Sequence, residues 1–472
     1  QQAGENINVL PVVPQNVSDW QIKGDGYLQR QVEPTIAAST LNPDHLLAFF
    51  NDYRAVDIDD DSYVGEEQFQ VASLAINAAE FMLAGIIPKL GIPVVQPPPV
   101  AAAEAWVGMS RSYDGGLTWA GGFLPGADFD NSPASLASPV WGLEAATDPV
   151  LAPAPCGYFY LVFVAFTRGG ESKLAVARYQ DLNNDEGGDT IEYLGTTVIE
   201  VGNNADNGHF LDKPDIEVDV WRGDGGPQEC GHRVYVSYST FVGLDKYGKF
   251  QSKLNFAKSE DLGLTYSTVK INKTWNQNQG STIAIDPGVG APGKYGGPGT
   301  IYVAWRHFFD PDAIIIRKSV DYGVSWANPV VVNNPPMVPF DQPTISTEAT
   351  TPSNPDILAF RSNGFPTATV TSYLLDPNDP ASRDATVFVA WQERTGPKGS
   401  PRIVLTRSDD DGATWSPSQV VDDVPIDKPY NAGVGGDWQT TGRGPQVMPK
   451  LSFGGGRLLL AYYESRGLFG LV

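Results

Sequence analysis

The chain has 472 residues, 41% of them apolar, with 50 glycines, 38 prolines and a formal net charge of −23. That charge excludes nucleic acid and anionic membrane as partners, since both need a basic face. The glycine, proline and aromatic content fits many short strands joined by tight turns, in one large domain or a few smaller ones.

The chain opens on Gln1-Gln2, as a mature chain does after signal-peptide removal, so the expected location is secreted. Residues 1–30 read as an N-terminal extension with one short strand, "INVLPVV". Asn-x-Ser/Thr tripeptides at Asn16 and Asn272 permit glycosylation. No stretch reads as a membrane span, which needs ~20 mostly apolar residues. The nearest, Phe69 to Ile87, is broken by Gln70, Asn77 and Glu80.

From residue 31 a pattern repeats. Short apolar runs rich in Ala, Ser and aromatics recur: "LLAFFNDYR" (46–54), "YLVFVAFTR" (160–168), "VYVSYSTF" (234–241), "IYVAWRHF" (301–308), "VFVAWQER" (387–394) and "LLLAYYESR" (458–466). Nearly every run follows a strand that begins at a proline, such as "EPTIAAS", "DPVLAP", "KPDIEVD" and "MPKLSF". Four runs are followed by a third strand and a turn, "SRSYDGGLTWA", "KSEDLGLTYS", "KSVDYGVSWA" or "RSDDDGATWS". Each unit reads strand, strand, strand, turn, strand. Six such units, starting near 31, 145, 212, 281, 364 and 446, predict an all-β propeller of four-stranded blades over 31–472. The second unit replaces the turn with "YQDLNNDEGGDTIEY", and the sixth stops after two strands. The expectation is that further chain or residues 1–30 complete it.

The first unit is interrupted over 66–105. There Phe69, Ala72, Leu74, Ala75, Ala78, Phe81, Met82 and Gly85 share one side of a helical pattern, and a tri-proline follows. This insertion reads as a helix lying on the propeller, or as a docking element for self-assembly. Residues 181–192, "DLNNDEGGDTIE", place Asp181, Asn183, Asp185, Asp189 and Glu192 at the oxygen-ligand spacing of a calcium loop, although Glu186 stands where glycine is required. A plain acidic hairpin is the alternative. Cys156 and Cys230 each open a Cys-Gly pair just before the second strand of consecutive units, which predicts a disulfide between neighbouring blades. The four histidines (His45, His209, His232, His307) show neither zinc spacing nor a catalytic triad, and only His209 and His307 fall in expected loops.

The turn resembles the Asp-box of the sialidase-like propellers, on Ser112, Asp114, Gly116 and Trp119; Ser259, Asp261, Gly263 and Tyr266; Ser319, Asp321, Gly323 and Trp326; and Ser408, Asp410, Gly412 and Trp415. In physical terms it is a hairpin clamp. The Asp accepts turn N–H groups, the Gly takes a positive φ, and the aromatic packs beneath. The resemblance implies a propeller but not sialic acid hydrolysis. Where the family places a carboxylate-gripping Arg stands Val32, and where it places a nucleophilic Tyr stand Val447 or Met448, with Tyr462 and Tyr463 expected in the core. Arg54 falls where the family's first second-strand run ends near an Arg. Carboxylates precede the inner-strand prolines, at Glu33, Asp148, Asp212 and Asp341. Convergence at one mouth would suit a glycosidase or lyase, whereas turn capping would make them structural. The leading expectation is a module that binds glycan or an extracellular protein, and a carbohydrate-active enzyme is the alternative.

Overall fold

The computed structural model describes residues 31–52, 105–183, 190–203, 208–220, 230–244, 250–272, 274, 276–286, 299–308, 311–340, 363–374, 378, 383–395, 401–422 and 446–464. All sheets are antiparallel meanders in sequence order. The first holds β1 (Gln31–Ala38), β2 (Leu46–Asp52), β3 (Trp106–Ser112) and β4 (Ala120–Phe123). A short helix, α1 (Pro133–Leu136), leads to β5 (Ala145–Pro153), β6 (Tyr158–Phe166), β7 (Glu171–Asp181) and β8 (Ile191–Asn203). The third holds β9 (Phe210–Val220), β10 (His232–Leu244), β11 (Phe250–Ser259) and β12 (Ser267–Lys270). The fourth holds β13 (Gln277–Ile285), β14 (Ile301–Phe308), β15 (Ala313–Ser319) and β16 (Val330–Val331). The fifth holds β17 (Thr367–Leu374), β18 (Arg383–Glu393), β19 (Arg402–Ser408) and β20 (Gln419–Val420), and the sixth β21 (Gln446–Gly454) and β22 (Arg457–Glu464). The expected helix and Pro-rich stretch over 66–105 lies outside the described residues but for Ala105.

The first strands of consecutive sheets touch one another from β1 through β5, β9, β13 and β17 to β21. They therefore line the axis of a propeller, with second to fourth strands stepping outward. The second strands of the first five blades are buried on both faces, which is why their sequences are continuous apolar runs rather than alternating ones; β22 of the sixth is largely exposed. The core is a series of clusters, each shared by two adjacent blades. Phe49 and Trp106 meet Leu151 and Phe163, Val162 meets Ile216 and Val236, Phe256 meets Ile283 and Trp305, and Ala304 meets Val387 and Trp391. Among the described residues, the cluster between the last two blades has three buried hydrophobic members, Ala390, Ile403 and Leu451.

The four repeated turns share one hydrogen-bond set. In the third blade Asp261 Oδ1 accepts the N–H of Thr265 at 2.9 Å, Oδ2 accepts its hydroxyl at 2.6 Å, and Ser259 Oγ accepts the N–H of Gly263 at 2.8 Å. The same bonds recur around Asp114, Asp321 and Asp410. The glycine has a positive φ in all four. It is also where the turn meets the preceding blade: a Cβ at Gly263 would stand 2.8 Å from Tyr160, and one at Gly323 would stand 2.4 Å from Phe256. The turns thus tie blade to blade as well as strand to strand.

Further ties recur near the axis. Thr35 Oγ1 accepts the N–H of Leu151 at 3.1 Å, Asp215 Oδ2 that of Ile283 at 2.7 Å, and Thr367 Oγ1 that of Leu451 at 3.1 Å. All three acceptors directly follow an inner-strand proline. Cys156 and Cys230 form a disulfide across 74 residues, joining the second blade to the third, as the paired Cys-Gly positions predict.

Ser259→Ala removes the acceptor for a buried glycine N–H and is expected to destabilise the fold by about 1–2 kcal/mol in urea denaturation. Any ligand affinity of the folded protein should stay unchanged; a loss of affinity in well-folded variant would contradict a purely structural turn. Reducing the Cys156–Cys230 bond should cost about 4 kcal/mol on the chain-entropy estimate for so long a loop, read as a drop in melting temperature.

Candidate functional site

The inner strands do not begin at their prolines, as the sequence pattern had them. In the first, second, third and sixth blades the strand begins three or four residues earlier, and the proline sits in a β-bulge, a place where a missing N–H is tolerated; in the fifth, β17 begins directly after Pro366. Register shifts fall between Val32 and Thr35, Thr147 and Val150, and Val447 and Lys450, with another on β10 facing Asp212–Asp215. Directly before the proline, Glu33, Asp148, Lys213 and Met448 take positive φ values of 54°, 56°, 48° and 54°. The fourth blade has no proline there but keeps the bulge, with Gly280 at φ 66° and the Phe365 ring where a Cβ would go. A bulge re-aims one side chain. Five blades therefore point one residue each into the same mouth of the axial channel.

At this mouth Lys213 Nζ lies 2.9 Å from Glu33 Oε1 and 3.5 Å from Asp148 Oδ1. The Lys213 backbone N–H donates to Asp148 Oδ2 at 3.3 Å. Asn51, at the end of β2, donates to Glu33 Oε2 at 3.3 Å and accepts the N–H of Asp148 at 3.0 Å. Gln392, the equivalent residue of β18, accepts the N–H of Met448 at 2.8 Å. Gln279 donates its side-chain amide to Asp212 Oδ2. The side chains of Glu33, Lys213 and Asp148 are 43%, 32% and 17% exposed, so water reaches them.

Deeper along the same strands stand Asp215 and Glu217 on β9 and Lys450 on β21, from blades that a six-bladed ring places opposite each other. Burial raises the Glu33 carboxyl above its ordinary value, Asp148 adds to the rise, and Lys213 opposes it. Burial likewise raises Asp215, against the pull of Lys450. Burial and the neighbouring Asp215 push Glu217 up to about 7, with Lys450 opposing. Burial disfavours the Lys213 ammonium, but Asp148 and Glu33 outweigh it and raise its pKa. The Glu217 side chain is exposed to water.

Of the expected site residues, Glu33 and Asp148 converge. Asp212 is displaced: in the third blade Lys213, not Asp212, directly precedes the proline, so Lys213 takes the position of Glu33 and Asp148. Arg54 and Asp341 lie outside the described residues. The calcium spacing is not realised on the described residues. Asp181 pairs with Ile191 and Gln180 with Glu192, so Asp181 and Glu192 point to opposite faces of the sheet. Asp181 is buried instead against His45 Nδ1, at 3.0 Å, and accepts the N–H of Asn183 at 2.8 Å. Asp185 and Asp189 lie outside the described residues. His307 is not in a loop but ends β14, held by Asn278 Oδ1 at 2.8 Å. Tyr462 packs against the last cluster, whereas Tyr463, expected in the core, is exposed. A shallow depression lined by Arg407, Asp409, Asp410 and Trp415 lies at the fourth turn, on the outer strands, away from the axis.

No protein-family model and no curated protein matches the chain. Among solved structures it is similar to an alpha-L-arabinanase from Penicillium chrysogenum complexed with arabinobiose, at 11% identity over 89% of this chain and 85% of that one, with a TM-score of 0.41. It is similar to a mutant of the NanB sialidase from Streptococcus pneumoniae, at 11% identity, 97% and 68% coverage and a TM-score of 0.36. It is also similar to the leech intramolecular trans-sialidase, at 11% identity, 98% and 68% coverage and a TM-score of 0.38.

The raised Glu217 carboxyl fixes the sign of one pH effect. The folded state holds this proton up to about pH 7, while the unfolded chain releases it near the ordinary 4.5. The contribution favours the fold at low pH and is lost as pH rises through about 7. Relative to Glu217→Gln, the wild type should therefore gain stability in urea titrations as pH falls from 7 toward 5. A constant difference across that window would show that Glu217 titrates normally.

Proposed function

We propose that this protein is a glycan-binding propeller whose ligand sits in the axial mouth on Glu33, Asp148, Lys213 and Asn51. One observation carries the reading: two carboxylates at the mouth, Glu33 and Asp148, grip a single ammonium at 2.9 and 3.5 Å. A glycosidase separates its acid and its nucleophile or base by about 5–5.5 Å or about 6.5–9.5 Å, so that a glycosidic bond fits between them. Here the position between the two carboxylates is filled by the Lys213 ammonium rather than left open to a glycosidic bond. These groups do offer charged acceptors, an ammonium donor and an amide side by side, a set suited to the vicinal hydroxyls of a sugar. A binding role agrees with Val32 and with Met448, neither of which can grip a carboxylate or attack a sugar. The disulfide suits an oxidising, extracellular setting, and no helix among the described residues is long and apolar enough to cross a membrane.

A glycan array run beside a panel of glycosidase and lyase substrates tests this. The expected result is saturable binding without turnover, weakened at least tenfold by Lys213→Met in protein whose melting curve remains cooperative. Turnover of any glycoside that disappears in Glu33→Gln would overturn the binding reading in favour of an enzyme.

A further inference from the structure

The residues in the pre-proline place of the inner strands run in blade order as Glu33, Asp148, Lys213, Gly280, Phe365 and Met448. Blades one to three thus supply charge, and blades four to six supply apolar surface. The inner strands β9, β13 and β17 touch in turn, so the two halves adjoin. A hydrogen bond crosses the join: Asp212, beside Lys213, accepts the side-chain amide of Gln279, which leads directly into Gly280. On Gly280 lies the Phe365 ring, whose Cγ and Cδ1 would stand 2.2 Å from a Cβ at that position. Glycine there serves twice, since its φ of 66° suits the bulge and its bare Cα lets the ring lie over it.

The ring is held in place. The Phe365 N–H donates to Asn363 O at 2.6 Å. Phe308 meets the ring edge to face, with centroids 6.3 Å apart, and the buried Arg306 guanidinium stacks on Phe308 at 4.1 Å. Asp312 Oδ2 accepts the Arg306 Nε–H at 3.1 Å and fixes that guanidinium. Yet Phe365 and Phe308 are only half-buried, in blades that take Trp305 and Trp391 wholly inside. A fixed aromatic ring left partly open to water next to a polar cluster is the usual composition of a small-molecule site.

Resting on the reading of the mouth as a glycan site, we propose that its ligand is a neutral pyranose, held with a C–H face on the Phe365 ring and its edge hydroxyls on Glu33, Lys213 and Asp148. A pyranose chair has this same division, with axial C–H bonds on its faces and hydroxyls around its rim. The electron-rich face of an aromatic ring attracts such C–H groups and removes apolar area from water. A furanose ring presents no comparable set of parallel C–H bonds. An acidic sugar would bring its carboxylate beside Glu33 and Asp148, which already share the Lys213 ammonium.

Titration calorimetry at about 0.15 M salt with four trisaccharides tests this: β-1,4-linked glucopyranose, β-1,4-linked galactopyranose, α-1,5-linked arabinofuranose and α-1,4-linked galacturonate. The neutral pyranose trimers should bind at least tenfold more tightly than the other two. Phe365→Leu keeps an apolar side chain over Gly280 but removes the ring face, and should abolish that margin, whereas Phe365→Tyr should keep it. In the wild type, saturation transferred from aromatic protons of the protein should fall on the axial protons of one face of the glucopyranose ring, a readout that needs no variant. A margin that survives Phe365→Leu, or saturation spread evenly over both faces, would overturn the inference and leave the glycan site standing. Tighter binding of the arabinofuranose or galacturonate trimer would do the same. Binding by none of the four would overturn it too, and an empty glycan array besides would take the reading of the mouth with it.

Discussion

A four-stranded sheet that is apolar on both faces cannot exist alone in water, and every other feature of this molecule follows from that constraint. The second strands of the first five blades are buried on both sides, so each of those blades needs a neighbour on either face. The clusters of the core accordingly belong to pairs of blades rather than to single ones. The repeated turn serves the same need in the third, fourth and fifth blades, because there its glycine closes the local hairpin and lies against an aromatic ring of the blade before it. An added methyl group at Gly323 would strike Phe256, so glycine is required there for space as well as for φ.

Packing blades around an axis forces the inner strands close together at their starts, and the bulges are how the chain manages this. A proline in the middle of a regular ladder would leave a partner carbonyl unpaired; in a bulge it does not. The residue before it is thereby turned toward the channel. The site is thus a by-product of ring geometry, since the same distortion in five blades brings five residues, four of them with side chains, to one level. What those side chains are then decides the chemistry. Here they are two acids, a lysine, a glycine and a methionine, with asparagine and glutamine from second strands holding the backbone beneath.

Much of the fold was legible because the repeat is written in strand periodicity and in a turn with fixed offsets. Unit starts read from the sequence fall within four residues of the observed first strands. The disulfide was legible because both cysteines occupy the same place in consecutive units. Less was legible at the mouth. Glu33 and Asp148 stood out as acids before prolines, but Lys213 breaks that chemical pattern while keeping its position, and a search for carboxylates moved one residue upstream to Asp212. Position in the repeat was the better guide. Asn51 and Gln392 likewise follow the aromatic of their second-strand runs, a signal visible only once the bulge geometry is known. The calcium spacing counts residues along a loop whose middle, 184–189, lies outside the described residues; strand pairing shows only that Asp181 and Glu192 face opposite sides of the sheet.

The thin seam between the last two blades has a consequence for how the molecule comes apart. Stability in such an array is close to a sum of nearest-neighbour terms. The terms are unequal among the described residues: the second and third blades share a covalent bond and a broad cluster, while the fifth and sixth share three fully buried cluster side chains, a few partly buried ones and hydrogen bonds at Gln446, Met448 and Leu451. Opening is therefore cheapest at β21–β22, and amide protons there should exchange through local fraying long before those of β6 or β10 do. Lys450 rides on that blade. Ligand in the channel would then act as a clasp, holding the loosest blade against the ring by binding at its axis.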